Sequence, residues 1–173
     1  MKMWEPTECP GTEELKDRLQ TVREKLARQQ MLLKEKKLPV LVLMEGWGTA
    51  GKGNCIGRVI QNIDPRFFNV ESLEKKTEEE KRKPFLYRYF KRLPEAGKFA
   101  FFDSGWMDET VQEKLSCDLT EKTYADRIES VRRFERQLTD NGYLVMKFFL
   151  HISEKEQEKR MEVLEKKADT SWR

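Results

Sequence analysis

The stretch Leu41-Val42-Leu43-Met44-Glu45-Gly46-Trp47-Gly48-Thr49-Ala50-Gly51-Lys52-Gly53 leaves this chain few ways to fold. An apolar run of strand length, Pro39 to Met44, feeds a glycine-rich loop, and an apolar-periodic segment follows. Gly46 and Gly51-Lys52 have the G-x-x-x-x-G-K spacing of a phosphate-binding loop. Glycines there let several backbone N–H groups point into one concavity, which the positive end of the next helix also faces. Lys52 would reach across bound phosphates as a mobile point charge. The plainer reading is a turn that joins a strand to a helix, but the strand–loop–helix context favours phosphate. Ser or Thr, whose hydroxyl binds magnesium, ordinarily follows the lysine. Here that position is Gly53.

The rest of the chain repeats the strand–helix alternation. Thr12 to about Lys37 reads as a charged helix capped by Thr12, with Leu15, Leu19, Val22 and Leu26 as an apolar stripe that packs on the domain's own core. Cys55, Ile56, Val59, Ile60 and Ile63 mark the helix after the loop, ended by Asp64-Pro65. Phe67 to Leu73 reads as a second strand. Thr77 and Glu80 fit a capping box, and the helix they open restarts or kinks at Pro84. Phe99 to Phe102 is a third strand ending in Asp103, and Gln112 to Leu115 a short helical turn. Tyr124 to Leu138 predicts a long amphipathic helix closed at Asn141-Gly142. Tyr143 to Ile152 is a fourth strand, and Ser153 and Glu156 form a second capping box for a helix to about Lys167. The pattern predicts an α/β three-layer sandwich with a parallel sheet of the phosphate-loop kinase type, its site at the carboxyl ends of the strands. Residues 1–38 are the lead-in and helix, and 39–173 the phosphate-loop domain.

With 38% hydrophobic residues and 34 Lys and Arg against 31 Asp and Glu, the net charge of +3 does not by itself point to nucleic acid. No apolar run approaches the length of a membrane span, and the start lacks a signal-peptide pattern. Cys9, Cys55 and Cys117 have no metal-ligand spacing and read as free thiols of a cytoplasmic protein.

Asp103, at the end of a buried strand, is placed as the metal-positioning carboxylate, with a turn or cap residue as the plainer alternative. Between Lys75 and Arg92 lie eight cations and three carboxylates, among them Lys76, Arg82, Arg88, Lys91 and Arg92. A solvated face is the default for such a run; beside a phosphate loop it would also suit an extended polyanion. The lone His151 has no partner set by the sequence and reads as structural.

Together these residues resemble the type-2 polyphosphate kinase family. Glu45 to Gly53 is similar to its E-G-W-D-A-A-G-K-G, Asp64-Pro65-Arg66 to its D-P-R, and Lys147 to Ser153 to its K-F-W-L-H-I-S. Thr77 to Glu80 and Arg82 to Pro94 resemble its T-E-E-E and R-R-P-F-L-W-R-Y-W-R-R-L-P. The likeness runs from about Val40 to Arg173. It implies phosphoryl transfer between inorganic polyphosphate and a nucleoside mono- or diphosphate, with Mg2+ as cofactor. Gly46, Gly48, Thr49, Ala50, Gly51, Lys52 and Gly53 would bind phosphate or nucleotide, Lys52 and Asp103 would be catalytic, and Asp103 would hold the metal. Lys76, Arg82, Arg88, Lys91 and Arg92 would line the polyphosphate path. The implied partners are polyphosphate and nucleotide, not nucleic acid or membrane, with a homo-oligomer or a linked second domain left open.

Three departures point to an impaired copy. The family's loop aspartate is Gly48, and the arginine of its D-R-S-W-Y is Ser104 in Asp103-Ser104-Gly105-Trp106-Met107. The family's domain also continues past Trp172-Arg173, so the chain is read as cut before the end of a lid. A non-catalytic, phosphate-binding copy is the alternative, and an ATP-dependent nucleotide kinase the second alternative.

Overall fold

A computed structural model describes residues 11–166 except 74 and 117. The expectations for Cys9, Cys117 and the Trp172-Arg173 end lie outside the described residues. Four strands, β1 (Val40–Gly46), β2 (Phe68–Ser72), β3 (Phe99–Asp103) and β4 (Leu144–Leu150), form one parallel sheet in the order β2-β3-β1-β4. The order puts β1 and β3 side by side at the centre, with Met44 opposite Asp103. The end of β1 and the end of β3 therefore open onto the same crevice.

Strands buried on both faces read as continuous apolar runs, and β1 alternates its side chains between two cores. Leu41 and Leu43, with Ala100 and Phe102, pack against Tyr89, Trp106, Val131, Phe134 and Leu138. Val40, Val42 and Met44, with Phe99 and Phe101, pack against Ile56 and Ile63 from the opposite side. Helices α1 (Thr12–Glu35) and α2 (Lys52–Val59) cover this second face. The short α3 (Glu78–Lys81) joins the first face through Glu80, which pairs with Arg88 and Arg92, and the short helix α4 (Tyr87–Phe90), then α5 (Trp106–Leu115) and α6 (Glu121–Asp140), belong to it. Helix α7 (Glu154–Lys166) follows β4.

Most boundaries match the sequence reading. The Thr77–Glu80 capping box is complete, and the helix it opens stops and restarts around Pro84. Gly142 closes α6 at φ +82°. Four expectations differ. Helix α5, expected only over Gln112 to Leu115, begins at Trp106. Gly11, not Thr12, is the cap position of α1. The second capping box is half formed: Glu156 N–H donates to Ser153 Oγ (3.3 Å), while the Glu156 carboxylate takes Arg160 instead (2.7 Å). Finally, the apolar stripe of α1 packs only in part. Leu26 and Leu33 dock on the core and buried Gln30 accepts from Asp64 N–H (3.1 Å), but Leu15, Leu19 and Val22 remain exposed.

Candidate functional site

The loop after β1 owes its path to two glycines. Gly46 takes φ +134°, and a side chain there would collide with the Leu150 backbone. Gly51 takes φ +94° and opens α2 at Lys52. Thr49 between them is also left-handed, at φ +61°. Helix α7 fastens the loop from outside. Gln157 Nε2 donates to Gly48 O (3.2 Å), and Arg160 Nη1 donates to Thr49 O (3.1 Å) and Ala50 O (3.4 Å). Over the loop lies a cavity of about 960 Å³ lined by Thr49, Gly51, Lys52, Gly53, Asp103 and Arg160.

Lys52 is held between two acceptors: its Nζ donates to Gly46 O (2.9 Å) and lies 3.4 Å from Asp108 Oδ2. Asp108 Oδ1 in turn accepts from Gly46 N–H (3.3 Å). Behind Asp108 sits the buried Glu45, whose carboxylate accepts from the N–H groups of Gly105 (3.4 Å), Met107 (3.4 Å) and Asp108 (2.9 Å). Those amides start α5, which has no side-chain cap of its own. A residue of β1 thus satisfies the donors that a local N-cap ordinarily would. Burial first, then Asp108, pushes the Glu45 carboxyl up to about 7. Burial also raises Asp103, with Asp108 adding to the shift and Lys52 opposing it.

The oxygen donors at the loop suit a hard divalent cation. Asp103 lines the cavity, and Thr49 Oγ1, buried without a hydrogen-bond partner, is the hydroxyl left in the loop. No group of three His, Cys, Asp or Glu among the described residues could hold a metal by itself. Mg2+ ordinarily takes one or two carboxylates and completes its shell with phosphates and water, so Asp103 and Thr49 fit it. A Cβ on Gly53 would lie 3.0 Å from Asp103 Oδ2, so a side chain there would require that carboxylate to give way slightly. At Gly48 a Cβ would meet only Gln157 Nε2, at an ordinary 3.5 Å. Ser104 sits at φ +73°, a left-handed conformation that costs any residue with a Cβ.

The cationic segment is brought together, but around carboxylates. Lys76 Nζ lies 2.8 Å from Glu109 Oε1 and also pairs with Glu113, which holds Arg127 as well. Arg88 is buried between Glu80 (3.6 Å) and Glu109 (3.5 Å), and Arg92 pairs with Glu71 and Glu80 (3.4 Å each). Tyr89 Oη donates to Glu109 Oε2 (2.7 Å). Burial alone would lower the Lys76 ammonium; Glu109 and Glu113 outweigh it and raise its affinity for the proton. Arg82 and Lys91 stay exposed. Of the five cations read as a polyphosphate path, Lys76, Arg88 and Arg92 are therefore charge-balanced from within. His151 lies exposed beside the Trp47 ring, centroids 6.4 Å apart.

Sequence reasoning singled out Lys52 and Asp103 but missed Asp108, Glu109, Gln157 and Arg160. The first two belong to the start of α5, which was expected to begin only near Gln112. No periodicity marks its first turn, where Trp106 and Thr110 are the buried residues, and its cap comes from another strand.

Comparison with known proteins adds a second line. Residues 11–173 match the family model described as polyphosphate kinase 2. A polyphosphate:AMP phosphotransferase of Pseudomonas aeruginosa is 33% identical over 153 residues, covering 88% of this chain and 31% of that protein. ADP-polyphosphate phosphotransferase 3 of Rhizobium meliloti is 32% identical over 142 residues, 82% of this chain and 50% of that protein. The chain thus spans a third to a half of the length of these relatives. The crystal structure of polyphosphate kinase 2 from Arthrobacter aurescens superposes with a TM-score of 0.90 at 26% identity, over 97% of this chain and 61% of that one.

Proposed function

This chain belongs to the polyphosphate kinase 2 family, and from that premise we propose that it transfers a phosphoryl group between inorganic polyphosphate and a nucleoside mono- or diphosphate. The observation that carries the reading is Lys52 at the mouth of a left-handed glycine loop, beside Asp103 on the neighbouring central strand. The loop amides and Lys52 hold and orient the transferring phosphates, and Arg160 adds a second cation at the cavity wall. Asp103 and Thr49 would hold Mg2+, which when bound neutralises charge developing on the phosphate oxygens. Phosphoryl transfer depends chiefly on such positioning and charge stabilisation, so no protein nucleophile is needed. Arg82 and Lys91 remain available to a polyanion at the surface, and Lys76, Arg88 and Arg92 after exchange of their carboxylate partners. A cytoplasmic setting goes with this reading. No described helix is long and apolar enough to cross a membrane.

A second reading, phosphate binding with little transfer, is favoured by one feature: Lys52 is engaged by Asp108, while Gly48 and Gly53 supply no metal-binding side chain. A coupled assay for nucleotide formation from polyphosphate and AMP or ADP decides between the two. Turnover that Lys52→Ala lowers by about a hundredfold or more supports the transferase. Lys52-dependent phosphate binding without turnover supports the second reading. Phosphate binding that ignores Lys52 removes the loop from both.

A further inference from the structure

We infer that Asp108 and Glu109 weaken this chain's hold on long polyphosphate, Glu109 being the specificity-determining residue of the two. The inference rests on the proposed polyphosphate site. Consecutive residues of one chain lie 3.8 Å apart at their Cα atoms, yet these two carboxylates serve cations from different parts of the molecule. Asp108 takes Lys52 and the amide of Gly46, both of the phosphate loop. Glu109 takes Lys76, Arg88 and the Tyr89 hydroxyl, all of the cationic segment. The first turn of α5 is thus an internal dianion seated between the loop and the segment. A bound polyphosphate running from one to the other must displace both carboxylates or endure their repulsion.

Of the two positions, only Glu109 discriminates by ligand length. A short anion seated in the loop meets Asp108 alone. Only a chain that extends beyond the loop reaches the cations held by Glu109. Asp108→Asn, which keeps the shape and removes the charge, therefore improves binding of short and long anions alike. Glu109→Gln improves only the long one. Each amide keeps one acceptor oxygen, for the Gly46 N–H or the Tyr89 hydroxyl, and puts an NH2, which cannot accept, where a carboxylate oxygen faced Lys52 or Lys76, so that cation is released.

The test is calorimetric titration of the full chain with pyrophosphate and with medium-chain polyphosphate at two salt concentrations, on wild type, Asp108→Asn, Glu109→Gln and the combination of Asp108→Asn with Lys52→Ala. Expected is a rise of about tenfold in polyphosphate affinity for Glu109→Gln, of the size that removing a facing like charge brings. Its pyrophosphate affinity stays unchanged, and its polyphosphate binding becomes more salt-dependent as more cations meet phosphate. Asp108→Asn gains for both probes, and adding Lys52→Ala cancels that gain. A circular-dichroism melt confirms that each variant is folded; should Glu109→Gln not fold, Glu109→Ala, which removes the same charge without placing an NH2 beside Lys76, takes its place. Affinities unchanged or lowered in folded variants, over a wild type that binds through Lys52, overturn this inference and leave the proposed function intact. No Lys52-dependent binding in any of the proteins overturns both.

Discussion

Glu45 joins the end of β1 to the start of α5 through three backbone amides, and burial with Asp108 beside it raises its carboxyl from 4.5 to about 7. A folded state that binds this proton more tightly than the unfolded chain is favoured below pH 4.5 and loses that advantage as pH rises to about 7. The loss is on the order of 3 kcal/mol at most. Glu45→Gln keeps the acceptor oxygen and has no proton to lose. Urea unfolding from pH 4.5 to 8 should therefore show the two proteins diverging, the variant becoming the more stable above neutrality. Parallel curves would mean that Glu45 is ionised throughout. At the adjoining residue, Gly46→Ala combines an unfavourable positive φ with collision against the Leu150 backbone and should cost about 3 kcal/mol in the same measurement.

Among the elements, α5 and α7 carry most of what the sequence reading overlooked. Periodicity betrays a helix only when it lays an apolar stripe on a core, and local capping shows only when the cap is a near neighbour. Helix α5 buries Trp106 and Thr110 at its start and is capped from β1, so neither signal is present in its first turn. Helix α7 was legible as a helix, but not as the brace of the glycine loop after β1, because Gln157 and Arg160 reach loop carbonyls about 110 residues away along the chain. Arg160→Ala should loosen that loop by about 1–2 kcal/mol, as expected for losing hydrogen bonds from a charged donor. Hydrogen exchange at the amides of residues 48–53 should quicken while amides of β1 and β3 keep their protection. Uniform change across the sheet would instead make Arg160 a contributor to global stability.

At the scale of the whole molecule, the first turns of α1 stand outside the core. Replacing Leu15, Leu19 and Val22 together by Gln should leave unfolding free energy within about 0.5 kcal/mol, the usual range for exposed positions. Leu26→Ala, at the packed end of the same helix, should cost about 1–2 kcal/mol. The parallel sheet, the glycine loop after β1 and the positions of Lys52 and Asp103 were determined by sequence alone, because apolar runs, glycine spacing and strand ends are written within a few neighbouring residues. The charge state of the site was decided by the tertiary structure. Counted along the chain, residues 75 to 92 hold eight cations against three carboxylates; in the fold, Glu71, Glu109 and Glu113 enter from outside that segment and pair with Lys76, Arg88 and Arg92. Electrostatic pairing acts through space at a few ångströms, and here the packing of α5 and β2 beside the segment brings partners tens of residues apart within that reach.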